Sequence, residues 1–200
     1  MNNSAGFDET FPDDEESATC TPFNPPPLPQ LTNSPQTIPD SCLSLSTPLL
    51  AAIHACLPPA PALVLSIGSG TGLVEALLQA LPPPPLNLVS VEVAPSPNKY
   101  HAPHRTVAGT WALEPLAKEA GAWVFVYPKQ VALVRAYMAT LTAAGGGPET
   151  VVYVGPRMDW DEFGAAFEGK GEVEVWSEQR MEEVGGRAWE CVAVLRVPGK

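Results

Sequence analysis

The residues of this chain best suited to chemistry lie between Ser66 and Glu92. Gly68-Ser69-Gly70-Thr71-Gly72 alternates glycine with hydroxyl residues, directly after the apolar run Leu63-Val64-Leu65-Ser66-Ile67. Leu73, Val74, Leu77, Leu78 and Leu81 then recur at helical spacing, and a second apolar run covers residues 86–93. Strand, turn, helix and strand in this order make one βαβ unit. In such a turn the first glycine bends the chain sharply, the second lets the backbone approach a ligand, and the third lets the helix pack closely. The N–H groups that open the helix at Leu73 are unpaired and favour a polar or anionic ligand group. Glu92 stands twenty positions beyond Gly72, beside Val93. An acidic side chain there, at the end of the second strand, is placed to accept hydrogen bonds from ribose hydroxyls.

The spacing narrows the ligand. The dinucleotide fingerprint places its third glycine one position later, where this chain has Leu73. The pattern here is G-x-G-x-G. With Ile67 before it and Glu92 after it, the stretch resembles the first motif of the class I methyltransferases, which bind S-adenosyl-L-methionine. The resemblance implies a cofactor site made of Ser66, Gly68, Ser69, Gly70, Thr71, Gly72, Glu92 and Val93. It also shows one departure. The family usually has an acid two positions before the first glycine, holding the methionine end of the cofactor, and this chain has Ser66. A hydroxyl can bond an ammonium group but brings no charge. The same residues also admit a plainer reading, a tight βα turn with no ligand.

The resemblance places the loop after the third strand beside the adenine, so Trp111 either stacks on a base or covers the sheet edge. Tyr127-Pro128 ends the fourth apolar run, at the side of a parallel sheet where ligands bind. Several methyltransferase groups carry a polar-Pro-Pro-aromatic motif there. The match is limited to Tyr127 and Pro128 in another order, without Asp or Asn, so it implies an acceptor pocket and not amine chemistry. Methyl transfer needs an in-line acceptor, and a base only when the acceptor holds its proton tightly. No residue is thereby marked as catalytic; His101, His104 and Tyr127 are the candidate bases. No G-x-S-x-G elbow is present, and no Walker lysine follows the glycine turn, which disfavours serine hydrolases and triphosphate hydrolysis.

Charge is unevenly placed. No Lys or Arg precedes Lys99, and nine of the 22 acids do, so most of the net charge of −11 sits in the first half. Such a chain is ill suited to gripping a nucleic-acid backbone or an anionic membrane. Cys20, Cys42, Cys56 and Cys191 form no C-x-x-C pair and have no His at ligand spacing, so neither a zinc site nor a disulfide framework is expected. The start lacks the features of a secretory or mitochondrial leader. Residues 49–67 are broken by His54, Pro58, Pro59 and Pro61 and do not read as a membrane span. A cytoplasmic or nuclear protein is expected.

Residues 1–40 are rich in Pro, Asp, Glu, Ser and Thr, with an acidic run at 13–16 and a polyproline stretch at 25–29. They read as a disordered tail, with Phe7, Phe11 and Phe23 as the side chains by which it would dock. A domain at 41–200 follows. Thr47 as N-cap and Pro48 at the first position open a helix whose face is Leu49, Leu50, Ile53, Cys56 and Leu57, with His54 at the margin. After the βαβ unit, strands are expected at 105–107, 122–126 and 150–154, a weak helix at 112–120, helices at 130–143 and 159–167, and strands at 172–176 and 189–197 joined by a long acidic connection. The fold class is α/β. The resemblance implies a three-layer sandwich: a mostly parallel seven-stranded sheet, helices on both faces and a C-terminal antiparallel hairpin. It implies S-adenosylmethionine-dependent methyl transfer to a small-molecule or protein acceptor. A non-catalytic interaction module on the same fold is the alternative; a nicotinamide-dependent oxidoreductase fits less well because of Leu73.

Overall fold

The computed structural model describes residues 23–141 and 146–199. The acidic run at 13–16, Phe7, Phe11, Cys20 and the end of the helix expected over 130–143 lie outside the described residues.

Seven strands form one sheet: β1 (Leu63–Ile67), β2 (Asn87–Val93), β3 (His104–Val107), β4 (Ala122–Val126), β5 (Thr150–Pro156), β6 (Glu172–Val175) and β7 (Glu190–Arg196). Their spatial order is β3-β2-β1-β4-β5-β7-β6. β1 to β5 run parallel, and β7 is antiparallel to both β5 and β6. From β1 the chain first steps outward through β2 and β3, then returns to β4 on the other side. That reversal puts a crevice at the carboxyl ends of β1 and β4, where open α/β sheets bind ligands.

The central strands read as continuous apolar runs because both sheet faces are covered. Along β1, Val64 packs on one face and Leu65 on the other; along β4, Val124 opposes Trp123 and Phe125. Helices α1 (Thr47–His54) and α2 (Leu73–Gln79) cover the first face through Leu49, Leu50, Ile53, Leu73, Val74 and Leu77. Helices α3 (Val131–Ala139) and α4 (Trp160–Gly164) cover the second through Val134, Met138 and Phe163. The expected architecture of three layers with a terminal antiparallel pair is the one observed.

Several local expectations are corrected. The N-cap of α1 is Ser46, whose Oγ accepts from the Leu49 amide at 3.2 Å, while Thr47 is the first helical residue. The acidic connection between β6 and β7 contains a helix, α5 (Glu178–Glu183), capped by Ser177 and anchored by the buried Met181. One apolar residue in six is too little signal for periodicity to detect.

Residues 23–40 correct the expected tail. Leu31 and Ile38 pack against the first core cluster. The backbones of Gln36 and Leu45 exchange hydrogen bonds of 2.9 and 2.8 Å, and Arg187 donates to the Pro35 carbonyl at 3.0 Å. Composition misleads here because a proline-rich segment has little conformational entropy to lose, so a few contacts suffice to hold it. This segment crosses the sheet end as a strap and brings Pro39 to Cys42 to the crevice.

Candidate ligand-binding site

A cavity of about 640 Å³ opens at the carboxyl ends of β1, β2 and β4. Its floor is the turn from Ile67 to Thr71; one wall is Val91 to Ala94, another is Tyr127 to Gln130, and the strap supplies Pro39 to Cys42. The size falls within the range usual for pockets that take drug-sized ligands.

The turn is fixed by its own hydrogen bonds. The amides of Gly68 and Ser69 donate to the Val91 carbonyl at 2.9 and 3.1 Å, and Gly72 N–H donates to the Ser69 carbonyl at 3.0 Å. Gly70 has φ +55°, and a Cβ added there meets no protein atom within 4 Å. The bare backbone at this point borders open cavity, as a close approach to ligand requires. Gly72 differs. A Cβ there would overlap Asn98 Oδ1 and His101 Cβ, so this glycine lets the loop before β3 pack, not the helix against the strand.

Glu92 spans turn and second strand. Its Oε2 accepts from the Gly70 amide at 2.7 Å and its Oε1 from the Val93 amide at 2.8 Å. Each carboxylate oxygen has a second lone pair, so these bonds orient the side chain and leave capacity for ligand hydroxyls. The Gly70 N–H is thereby used and is not a free donor to ligand. Thr71 Oγ1 donates to the Asp40 carbonyl at 2.7 Å, which ties the strap to the turn. Asp40 is further held by Lys99 at 2.8 Å and by the Tyr100 hydroxyl at 2.8 Å; those two bonds hold its carboxyl below the usual range.

Gly72 does not line the cavity, and four further expected site residues stand elsewhere. Ser66 is 2 % exposed and does not line the cavity; its hydroxyl donates to Glu75 Oε1 at 2.5 Å. Its side chain points off β1 into the layer beneath α2, where Glu75 is its partner at the cavity wall. Trp111 is 78 % exposed and does not line the cavity; its ring lies over Gly109, and Thr110 is the lining residue of that loop. The reason is that the loop turns after Gly109 and projects the indole into solvent. His101 and His104 are also outside. Each Nδ1 lies 2.9 Å from Ser90 Oγ, and burial pushes the His101 imidazole down to about 4.

Tyr127 and Pro128 do line the cavity. Tyr127 adopts φ +49°, rare for a bulky side chain, which costs on the order of 1–2 kcal/mol. Its amide donates to the Val154 carbonyl and its hydroxyl to Glu190 Oε1, both at 2.7 Å. Burial and that bond raise the phenol far above its ordinary range, so Tyr127 stays protonated and is no base.

The site includes residues that sequence reasoning missed. Asp40, Ser41 and Cys42 lie in the expected tail or at its edge, and Glu75 falls in the helix after the turn, where its acid suits the helix dipole. Glu75 lines the cavity, is 1 % exposed, and its Oε2 has no hydrogen-bond partner among the described residues. The signal was Ser66: a missing acid on the strand invites a search for another within reach, and Glu75 follows nine positions later.

The sheet order and the crevice define the class I S-adenosylmethionine-dependent methyltransferase-like fold. Among solved structures, the chain is similar to a precorrin-6y C5,15-methyltransferase from Geobacter metallireducens, with TM-score 0.53, 15% identity, and coverage of 82% of this chain and 94% of that one. It is similar to a predicted O-methyltransferase from Agrobacterium tumefaciens, with TM-score 0.50, 12% identity, and coverage of 76% and 81%. It also matches 27% of a small RNA methyltransferase over 87% of its own length, with TM-score 0.54 and 10% identity. At these identities the likeness establishes the fold. No protein-family model and no curated protein sequence matches the chain.

Proposed function

We propose that the protein binds S-adenosyl-L-methionine in the crevice and transfers its methyl group to an acceptor entering between the strap and the end of β4. The observation that carries this reading is the pairing of Gly70 and Glu92 across an open cavity, bare backbone on one side and an oriented carboxylate on the other. Charge supports it. The ionisable side chains of acidic or basic type that line the cavity are Asp40, Glu75, Glu92 and Lys129. That set suits a cationic ligand and opposes the pyrophosphate of a dinucleotide. The structural neighbours named as methyltransferases support the reaction class.

When bound, the cofactor supplies a methyl group on a sulfonium, activated for attack without help from a metal. The protein's part is then to position. Glu92 holds the ribose hydroxyls, the turn at Gly68 to Gly70 admits the ligand to close contact, and Val91 and Val93 flank it with apolar surface. Tyr127 and Pro128 face the acceptor and keep water away from it. The acceptor is a small molecule or an exposed protein side chain.

A second reading, a binding module without turnover, is favoured by one observation: His101 and His104 stand outside the cavity and Tyr127 is locked to Glu190, so none of the expected bases serves the site. Calorimetric titration separates the ligand classes. S-adenosylmethionine and S-adenosylhomocysteine are expected to bind in the micromolar range and reduced nicotinamide cofactors not at all. Binding of the nicotinamide cofactor alone would overturn the proposal.

A further inference from the structure

We infer that Glu75, on helix α2, is the receptor for the ammonium group of the ligand's amino-acid end, doing from the helix what Ser66 on the strand lacks the charge to do. The inference rests on the reading of the cavity as a site for an adenosyl amino acid.

Four observations carry it. Glu75 lines the cavity together with the turn residues Ile67 and Gly68. It is almost fully buried, where an acidic side chain is rarely left without a function or a partner. One of its oxygens is fixed by Ser66 Oγ at 2.5 Å, which sets the carboxyl plane. The other, Oε2, has no hydrogen-bond partner among the described residues, so a residue of the cavity wall keeps one buried acceptor unsatisfied. A buried, unpartnered carboxylate oxygen is costly, and a ligand ammonium removes that cost. Burial also pushes the Glu75 carboxyl up to about 7, the Ser66 bond pulling the other way and the Glu92 charge adding to the rise. The ligand-free protein thus holds this group partly protonated at neutral pH, and a cation arriving there displaces the proton.

Ser66 and Glu75 then act as one unit. The strand supplies the hydroxyl that orients, and the helix supplies the charge. The other titratable groups around the cavity are Glu92 on β2, Asp40 and Cys42 on the strap, Tyr127 and Lys129 beyond β4, and Tyr137 on α3. None of them shares a hydrogen bond with Glu75.

The test compares S-adenosylhomocysteine with methylthioadenosine, which keeps the nucleoside and the sulfur but has no amino-acid end. Glu75→Gln is expected to weaken the first by tenfold or more and to leave the second within about twofold. The double variant Ser66→Asp, Glu75→Gln, which returns a carboxylate to within hydrogen-bond reach of the same point, is expected to recover part of the loss. Titration of the unmodified protein in buffers of different ionisation enthalpy at pH 7 supplies a readout that needs no variant. It is expected to show proton release with S-adenosylhomocysteine and none with methylthioadenosine, as a carboxyl held partly protonated at that pH requires. Equal loss of both ligands in Glu75→Gln, or equal proton release with both, would overturn the role of Glu75 while leaving the adenosyl site standing. Failure of both ligands to bind the unmodified protein would overturn the site and this inference together.

Discussion

Gly70 and Glu92, twenty-two positions apart, are joined by a 2.7 Å hydrogen bond from the glycine amide to the glutamate Oε2. The bond aligns the carboxylate with the turn before any ligand arrives, so little ordering entropy remains to be lost on binding. Replacing Glu92 by Ala removes the carboxylate proposed to accept from two ribose hydroxyls, each charge-assisted bond of that kind contributing about 1.5–3 kcal/mol. Affinity for S-adenosylhomocysteine is expected to fall at least tenfold by calorimetry. Unchanged affinity would remove Glu92 from the site.

The glycines of the turn predict a contrast. Ala at Gly70 places its methyl group in the cavity at a positive φ, which costs about 1–2 kcal/mol of stability and obstructs the ligand. Ala at Gly72 carries the same backbone cost and in addition overlaps Asn98 and His101. Gly72→Ala is therefore expected to unfold at clearly lower denaturant than Gly70→Ala. The opposite order would show that the loop before β3 is not packed on the turn.

Glu75 predicts a pH dependence of stability. Its folded value of about 7 lies above the ordinary carboxyl value of 4.5. The stability associated with the protonated group is fully present below 4.5 and is lost as the pH rises through about 7. At 1.36 kcal/mol per unit, the loss approaches about 3 kcal/mol. Glu75→Gln escapes that loss. Its stability relative to the unmodified protein is expected to rise across pH 5 to 8 in urea unfolding series, and a flat difference would contradict the burial argument. A residue whose removal stabilises the empty protein and weakens its ligand is the signature of a site kept for binding.

Tyr127→Phe deletes the donor to Glu190 Oε1 and leaves a fully buried carboxyl with the Ser44 amide, at 2.9 Å, as its remaining partner. Leaving a buried acceptor less satisfied costs about 1–3 kcal/mol. Denaturant unfolding checks this, and a variant as stable as the parent would mean that the hydroxyl contributes nothing there.

Much of this architecture was legible because the signals were local. β1 and β4 have the bounds their apolar runs suggest, since a strand buried on both faces writes its length directly into the sequence. The turn and Glu92 were legible for the same reason: glycine spacing and an acid at strand end lie within one βαβ unit. What was hidden depends on distant contacts. The strap binds through Gln36, Leu45 and Arg187, and no window of residues 23–40 announces those partners. Trp111 is the converse case. Its type invited a stacking role, and only the path of the chain after Gly109 turns it outward. Glu75 was visible as a residue and hidden as a function, because its meaning comes from the serine across the layer.

The central claim is that the turn and Glu92 together form an adenosyl slot. Titration of isotopically labelled protein with S-adenosylhomocysteine, followed by amide resonances, tests it at those atoms. The account predicts saturable shifts at Gly68, Ser69, Gly70, Glu92 and Val93, and none at Gly169, an open-surface glycine far along the chain. A saturating titration that leaves the resonances of Gly70 and Glu92 unmoved would contradict it.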